Sequence, residues 1–197
     1  MLIGIGGPSR AGKSTLADAL AREIVARGRS YRIIHQDVFV RRRSQLPMIR
    51  DHVDWEHPDS IHWSRLRTSL KQAQAEADVV LHEGLLAFAN PAINKLYDRT
   101  VFLHISESTF RERKAADLRW GEEPAWYVDH IWESYQQFGK PPASPPGMIH
   151  ISGEVMVAPR VIQALVDMMS LSKKRFSRPS SPGPDSGSGW LPPNARS

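Results

Sequence analysis

A glycine-rich segment near the start of the chain carries the residue types that bind a nucleoside triphosphate. It matches G-x-x-x-x-G-K-[ST] and continues one residue further: Gly7, Pro8, Ser9, Arg10, Ala11, Gly12, Lys13, Ser14 and Thr15. Glycines let the backbone turn tightly, so that successive N–H groups converge on phosphate oxygens. Lys13 is then expected to face the β- and γ-phosphates, and the Ser14 hydroxyl a phosphate-bound Mg²⁺. Residues 7–15 are therefore predicted to bind ATP with Mg²⁺.

Two carboxylates come directly after short apolar runs. Asp37 follows the run 31–35, and Glu83 closes the run 79–82. Asp37 is predicted to accept a proton from an acceptor hydroxyl and to orient its oxygen for in-line attack, with a loop or capping Asp as the alternative. Glu83 is predicted to hold Mg²⁺ directly or through water, with an ordinary strand-end acid as the alternative.

A basic stretch later in the chain is a candidate source of positive charge during phosphoryl transfer. Its members are Arg111, Arg113, Lys114 and Arg119. On a segment that closes over the triphosphate, they would offset the charge of the transferring group. The alternative is a solvated basic helix face.

Aromatic residues suggest where a flat ring could bind. Trp55 and Trp120 could sandwich a base, because aromatic faces stack on rings and attract cations. Asp54, Glu122 and Glu123 would add negative potential around that base. The alternative is that these tryptophans belong to the core.

The remaining pattern predicts the elements that position these residues. Strands are predicted at 2–5, 31–35, 79–82, 100–105 and 148–151, and helices at 14–25, 59–74, 107–118, 126–138 and 159–169. Asp59 is the expected N-cap of the second helix, and His82 and His104 are expected core histidines. Short apolar strands between helices indicate an α/β fold, a parallel sheet of about five strands covered on both faces. Ligands bind at the carboxyl ends of such strands, where the glycine-rich loop, Asp37 and Glu83 all occur.

Taken together in this order, the motifs resemble the uridine kinase-like P-loop nucleoside kinases, and within them the nicotinamide riboside kinases. The resemblance covers about residues 1–170 and implies a small helical lid. It is carried by the glycine-rich loop, Gln36-Asp37-x-Phe39, residues 54–59, Glu83-Gly84-Leu85-Leu86-Ala87-Phe88, the arginine-bearing helix and His130-Ile131-Trp132-x-x-Tyr135.

The resemblance implies roles for individual residues. Asp37 matches the catalytic carboxylate, Glu56 an Asp that grips ribose hydroxyls, and Trp55 an aromatic residue against the base. Glu83 matches the acid on the magnesium side. Phe39 and Trp120 join the implied substrate residues, and the catalytic set comprises Asp37, Lys13, Arg113 and Arg119. The chain departs from the family pattern in four ways: Val38 replaces a polar or acidic residue, Glu56 is one methylene longer than Asp, the lid between Arg113 and Trp126 is a little shorter, and Asp117 falls near an expected basic residue.

The implied activity is ATP-dependent phosphorylation of a ribonucleoside 5′-hydroxyl, with nicotinamide riboside as first acceptor. Uridine or cytidine is the alternative within that class, and another small-metabolite P-loop kinase is a further one. A nucleotide-dependent switch is the non-enzyme alternative. It is disfavoured because a switch has no need of the Asp37 and Glu56 pair.

The amino-acid composition limits the kinds of site and binding partner that the protein can have. The chain of 197 residues has no Cys, so disulfides and thiolate zinc sites are excluded. Its net charge is +5, but from Leu171 onward five basic residues and one acid give +4, which leaves +1 for residues 1–170. No apolar run approaches the roughly 20 residues of a membrane span. A cytoplasmic protein is expected, with a small nucleoside as partner and neither nucleic acid nor membrane.

The C-terminal segment 171–197 is rich in Pro, Ser and Gly and is predicted to be a disordered tail. We therefore expect deletion of residues 173–197 to leave thermal stability and activity nearly unchanged, because such a segment buries little surface. Thermal unfolding and turnover of the truncated and full chains check this. A melting temperature several degrees lower after truncation would show that the tail docks on the domain.

Overall fold

Five parallel strands form the central sheet of the computed structural model, which describes residues 1–117, 121, 123–141 and 147–171. The sheet order is β2-β5-β1-β6-β7. The strands are β1 (Leu2–Gly6), β2 (Tyr31–His35), β5 (Val79–Glu83), β6 (Arg99–His104) and β7 (Ile149–Ser152). A separate two-stranded antiparallel hairpin pairs β3 (Met48–Ile49) with β4 (His52–Val53). The predicted α/β fold with a five-stranded parallel sheet is confirmed.

Six helices accompany the sheet in the described part of the chain. They are α1 (Lys13–Ala26), α2 (Trp63–Glu76), α3 (Pro91–Asn94), α4 (Glu107–Ala115), α5 (Ala125–Ser134) and α6 (Pro159–Leu171). Helix α5 continues into a π-helical turn, Tyr135–Gly139. The lid predicted between Arg113 and Trp126 falls on the end of α4, the start of α5 and the connection between them, part of which lies outside the described residues. None of the helices in the described ranges is long and apolar enough to cross a membrane.

The strand pattern distributes side chains to two cores. Ile3 and Ile5 of β1 face a core shared with α1 and α6, whereas Leu2 faces a core shared with α2. This alternation is the period of two of a strand with both faces covered. Burial in β1 and β5 is complete along all five residues of each strand. These two buried strands fix the positions of the loop after β1 and of Glu83 at the end of β5.

Three local predictions are corrected. Helix α2 begins at Trp63 with His62 as its N-cap, while Asp59 lies in a preceding 3₁₀ turn, Pro58–Ser60. Proline 58 favours that turn because it fixes the backbone without donating a hydrogen bond. Helix α4 ends at Ala115 instead of 118. His104 is exposed, because it ends a strand near the sheet edge and contacts His150 there.

Candidate active site

The glycine-rich loop joins β1 to α1 and is shaped by two glycines. Gly12 caps α1 in the left-handed region with φ 91°. Gly7 has φ 145°, and a Cβ there would lie 2.6 Å from the Leu103 carbonyl oxygen. Neither backbone conformation nor space would accept a side chain at Gly7. Lys13 folds back over the loop, and its Nζ donates to the Pro8 carbonyl at 2.9 Å. The loop therefore has the form of an anion cradle at a helix N-terminus.

Glu83 connects this loop to the neighbouring strands. Its side chain is only 8% exposed, and its Oε1 accepts from Ser14 Oγ at 3.1 Å and from His35 Nδ1 at 2.7 Å. The structure thus brings together the two residues that the sequence predicts for Mg²⁺. A hydroxyl and a carboxylate are hard oxygen ligands and fit that ion, which keeps waters and phosphate oxygens as its other ligands.

Asp37 lies in a 3₁₀ turn, Gln36–Phe39, directly after β2. Desolvation, and then the charge of Glu83, raise the pKa of Asp37 above its usual 3.8, while Lys13 and His35 oppose this rise. Burial is the main cause that lowers the pKa of Lys13, and Glu83, Asp37 and Glu56 oppose it. Lys13 therefore lies within electrostatic reach of all three acids, and Asp37 within reach of both Glu83 and Glu56.

The turn that carries Asp37 is tied to the end of β5. The Leu86 N–H donates to Oε1 of the buried Gln36 at 2.9 Å, and a Cβ at Gly84 would lie 2.2 Å from that oxygen. Only glycine fits such an approach. Phe39 is 7% exposed and packs in the core shared with α2. It supports the turn from beneath, and its contact with a substrate stays a prediction.

The Asp54 carboxylate organises residues 54–59, which the sequence predicts to bind the acceptor and which we call the acceptor segment. The Glu56 N–H donates to Asp54 Oδ1 at 3.1 Å, and His130 Nε2 of α5 donates to the same oxygen at 2.8 Å. The Tyr127 hydroxyl donates to the Val53 carbonyl at 3.2 Å. Helix α5 therefore holds the backbone on which Glu56 is mounted.

The Glu56 carboxyl is the most perturbed acid of this group. Desolvation, and then the charge of Asp37, raise the pKa of Glu56 to about 7, while Lys114 and Lys13 oppose the rise. A strongly shifted carboxyl in a cleft is typical of a functional position. Beside it, Trp55 is 45% exposed, which leaves an indole surface for a ligand. A contact between that surface and a base stays a prediction.

The basic residues of α4 point in different directions. Arg113 donates to the carbonyls of Arg10, Gly153 and Glu154 at 3.0, 2.8 and 2.8 Å. Its guanidinium thus binds backbone, and its action on phosphate stays a prediction. Lys114 contacts Glu123 Oε2 at 2.7 Å and is the α4 cation that acts on Glu56. The predicted roles of Arg119 and Trp120 lie outside the described residues.

A groove of about 650 Å³ adjoins the glycine-rich loop. We call it the donor groove. It lies between α1 and the connection from β7 to α6, and its lining includes Gly12, Thr15, Arg113, Gly153, Val155 and Ile162. It has the size and the mixed lining of a site for a small planar ligand.

Two contacts of the site were not predicted from the sequence, His35 with Glu83 and His130 with Asp54, and neither was the electrostatic influence of Lys114 on Glu56. His35 and Glu83 are direct partners in the parallel register of β2 and β5, so the shared position at two strand ends is a usable signal. The pairing of His130 with Asp54 spans 76 residues and depends on how α5 packs. No local sequence pattern predicts this pairing.

The shifted pKa of Glu56 makes a prediction about stability. The group has its ordinary pKa of 4.5 when unfolded and about 7 when folded, so the folded chain holds more protons between those values. Stability contributed by Glu56 therefore falls as pH rises from about 4.5 to about 7. Glu56→Gln should be more stable than wild type at pH 8, by on the order of 2 kcal/mol, with a smaller difference at pH 5.

Thermal unfolding at both pH values measures this difference. Glu133→Gln, on an exposed position of α5, is the matched control and should show no pH-dependent gain. Equal changes in melting temperature for Glu56→Gln at pH 5 and pH 8 would contradict the raised pKa.

Comparisons with known proteins agree with the motifs. The chain is 24% identical over 158 residues to nicotinamide riboside kinase 2 of Mus musculus, an alignment that covers 70% of this chain and 79% of the relative. It is 27% identical over 144 residues to a uridine kinase of Leuconostoc citreum, covering 60% and 69% respectively. No protein-family model matches the chain.

The fold has a solved counterpart as well. An unliganded sugar kinase from Janibacter sp. superposes with a TM-score of 0.54 at 15% identity, covering 87% of this chain and 95% of the other. This similarity concerns the fold alone. The chain thus has an α/β fold with a phosphate-loop motif, and its similarity to a nicotinamide riboside kinase and to a uridine kinase supports a kinase.

Proposed function

We propose that this protein transfers the γ-phosphoryl group of ATP to the 5′-hydroxyl of a ribonucleoside, with nicotinamide riboside as acceptor and nicotinamide mononucleotide as product. Such a reaction would serve NAD biosynthesis. The observation that carries the proposal is the convergence of Lys13, Asp37 and Glu56 beside the pair formed by Ser14 and Glu83. A nucleotide switch would need the loop and Glu83 but neither of the other two acids.

Each group then has a chemical role. The loop N–H groups and Lys13 would bind the donor phosphates and compensate the charge that spreads over the transferring group. Mg²⁺, when bound through Ser14 and Glu83, would neutralise phosphate charge. Asp37 would accept the proton of the attacking hydroxyl and hold its oxygen in line with the phosphorus. The raised pKa of Asp37 favours this task, because a stronger base takes the proton more readily.

The acceptor segment supports a ribonucleoside as substrate. Glu56 could accept hydrogen bonds from two adjacent ribose hydroxyls while Asp37 faces the 5′-hydroxyl. The acid Asp54, next in the chain to the exposed Trp55, favours a cationic base over a neutral one. Nicotinamide riboside carries such a base. The donor groove would take the adenine of ATP on the opposite side of the loop.

Uridine or cytidine is the second candidate acceptor. One of the sequence relatives is a uridine kinase, and a carboxylate at Glu56 would grip the ribose of any ribonucleoside equally. The charge of the base therefore separates the two candidates, and purified protein with ATP, Mg²⁺ and each nucleoside decides between them.

Trp55→Ala should reduce kcat/KM more for nicotinamide riboside than for uridine. Removing a stacking face costs about 1–3 kcal/mol per base, and part of the attraction to the nicotinamide ring is cation–π. Glu56→Ala should instead weaken both nucleosides alike, because it is expected to contact the sugar. Equal losses in Trp55→Ala, or wild-type activity on uridine well above that on nicotinamide riboside, would favour the uridine alternative.

Asp37→Asn should keep ATP binding and lower kcat by roughly two orders of magnitude or more, because the amide retains the shape but cannot accept the proton. The wild-type rate should fall as pH drops through the raised pKa of Asp37. Asp18→Asn, at an exposed position of α1, is the control with the same chemical change. Unchanged turnover of Asp37→Asn at saturating substrates would exclude Asp37 as the base.

A further inference from the structure

Arg10 holds an unusual backbone conformation in the glycine-rich loop. Its φ is 64°, in the left-handed region, and the only other described non-glycine residue with positive φ is Arg50. A side chain in that region costs roughly 1–2 kcal/mol, so it persists where surrounding contacts impose it. The loop has glycine at positions 7 and 12 but an arginine here, which suggests that the side chain itself is used.

Helix α4 and the residues after it hold Arg10 at two points. Asp117 Oδ2 lies 3.1 Å from Arg10 Nη1, and Arg113 Nη1 donates to the Arg10 carbonyl at 3.0 Å. The Asp117 side chain is 4% exposed, whereas that of Arg10 is 32% exposed. Asp117 thus holds Arg10 from a buried position, while about a third of the Arg10 side chain stays exposed. A Cβ at Gly153 would lie 2.5 Å from the Ala11 carbonyl, so the bend is also confined from the side of β7.

The charge of Arg10 reaches the phosphate end of the loop. Arg10 is among the groups that lower the pKa of Lys13, after burial as the main cause. Two cations within electrostatic reach of each other repel. A triphosphate between them would remove that repulsion. The ion pair with Asp117 offsets the repulsion in its absence.

We propose that Arg10 is a second phosphate-contacting cation of the donor site and that Asp117 is the residue that positions it. The inference rests on the proposed use of ATP as donor. It also explains the departure at Asp117, where the family resemblance predicts a basic residue. The guanidinium comes from the loop, and the helix supplies the carboxylate that aims it.

The test is a double-mutant cycle read out by MgATP affinity, titrated calorimetrically with the full chain and no acceptor. Arg10→Gln and Asp117→Asn should each weaken MgATP binding on the order of tenfold, and Arg10→Lys should recover part of the loss. The double variant should bind no more weakly than Arg10→Gln alone, because Asp117 acts through Arg10. KM for the acceptor should stay unchanged in all of them.

Asp129→Asn is the matched control. Asp129 of α5 forms a 2.7 Å ion pair with Arg111 of α4, but both side chains are about half exposed, and this pair does not contact the loop. It should bind MgATP like wild type. Wild-type affinity in Arg10→Gln and Asp117→Asn, with only their unfolding temperature lowered, would reduce the pair to a structural latch and overturn the proposal. Additive losses would overturn the positioning role of Asp117.

The outcome is separable from that of the proposed function. If the wild type binds MgATP but phosphorylates no ribonucleoside, the acceptor assignment fails. The double-mutant cycle still measures the effect of Arg10 and Asp117 on MgATP affinity. If the wild type phosphorylates a nucleoside and both variants keep its KM for ATP, the role of Arg10 fails while the kinase assignment stands.

Discussion

The carboxylate of Glu83 joins the three elements that form the candidate site. It lies at the buried end of β5, accepts a hydrogen bond from Ser14 at the start of α1, and pairs with His35 at the end of β2. A charge with so little exposure is stable only when it is bonded in this way, and a cation at the same place would bind it further. The parallel register aligns β2 with β5, so the sheet presents Glu83 and the Asp37 turn at one edge. Gly84 then lets Gln36 approach closely enough to hold that turn.

A different set of contacts holds residues 54–59 in place. Asp54 is shared between the Glu56 backbone and His130, so helix α5 and the acceptor segment form one unit. Glu56 is thereby held in a partly desolvated position, where Asp37 raises its pKa further and Lys114 limits the rise. This arrangement costs folding energy at neutral pH, which is the expected cost of a site prepared for a ligand. Ribose hydroxyls or a cationic base would relieve part of it.

The fold and the phosphate-loop side of the site could be predicted from the sequence because the signals for them are local. The loop motif, the strand ends at Asp37 and Glu83, and the alternation of strands and helices each involve neighbouring residues, and the structure brings them together as expected. The predicted start of α2 was wrong because Pro58 and Asp59 suit a 3₁₀ turn as well as a helix. The direction of the α4 cations was not predictable, since Arg113 and Lys114 are adjacent yet bind backbone and acid respectively. Arg113 is oriented by the loop after β7, which is far away in sequence. The pairing of His130 with Asp54 likewise joins residues that are distant in sequence.

The central claim is geometric: a single cleft binds donor phosphates at Lys13 and Ser14 and an acceptor hydroxyl at Asp37. A crystal structure with Mg²⁺, a non-hydrolysable ATP analogue and nicotinamide riboside tests it most directly. We expect the γ-phosphate analogue against Lys13, the metal against Ser14 and Glu83, the 5′-hydroxyl hydrogen-bonded to Asp37, and the ribose on Glu56. A nucleoside bound away from Asp37, or a triphosphate bound outside the glycine-rich loop, would contradict the account.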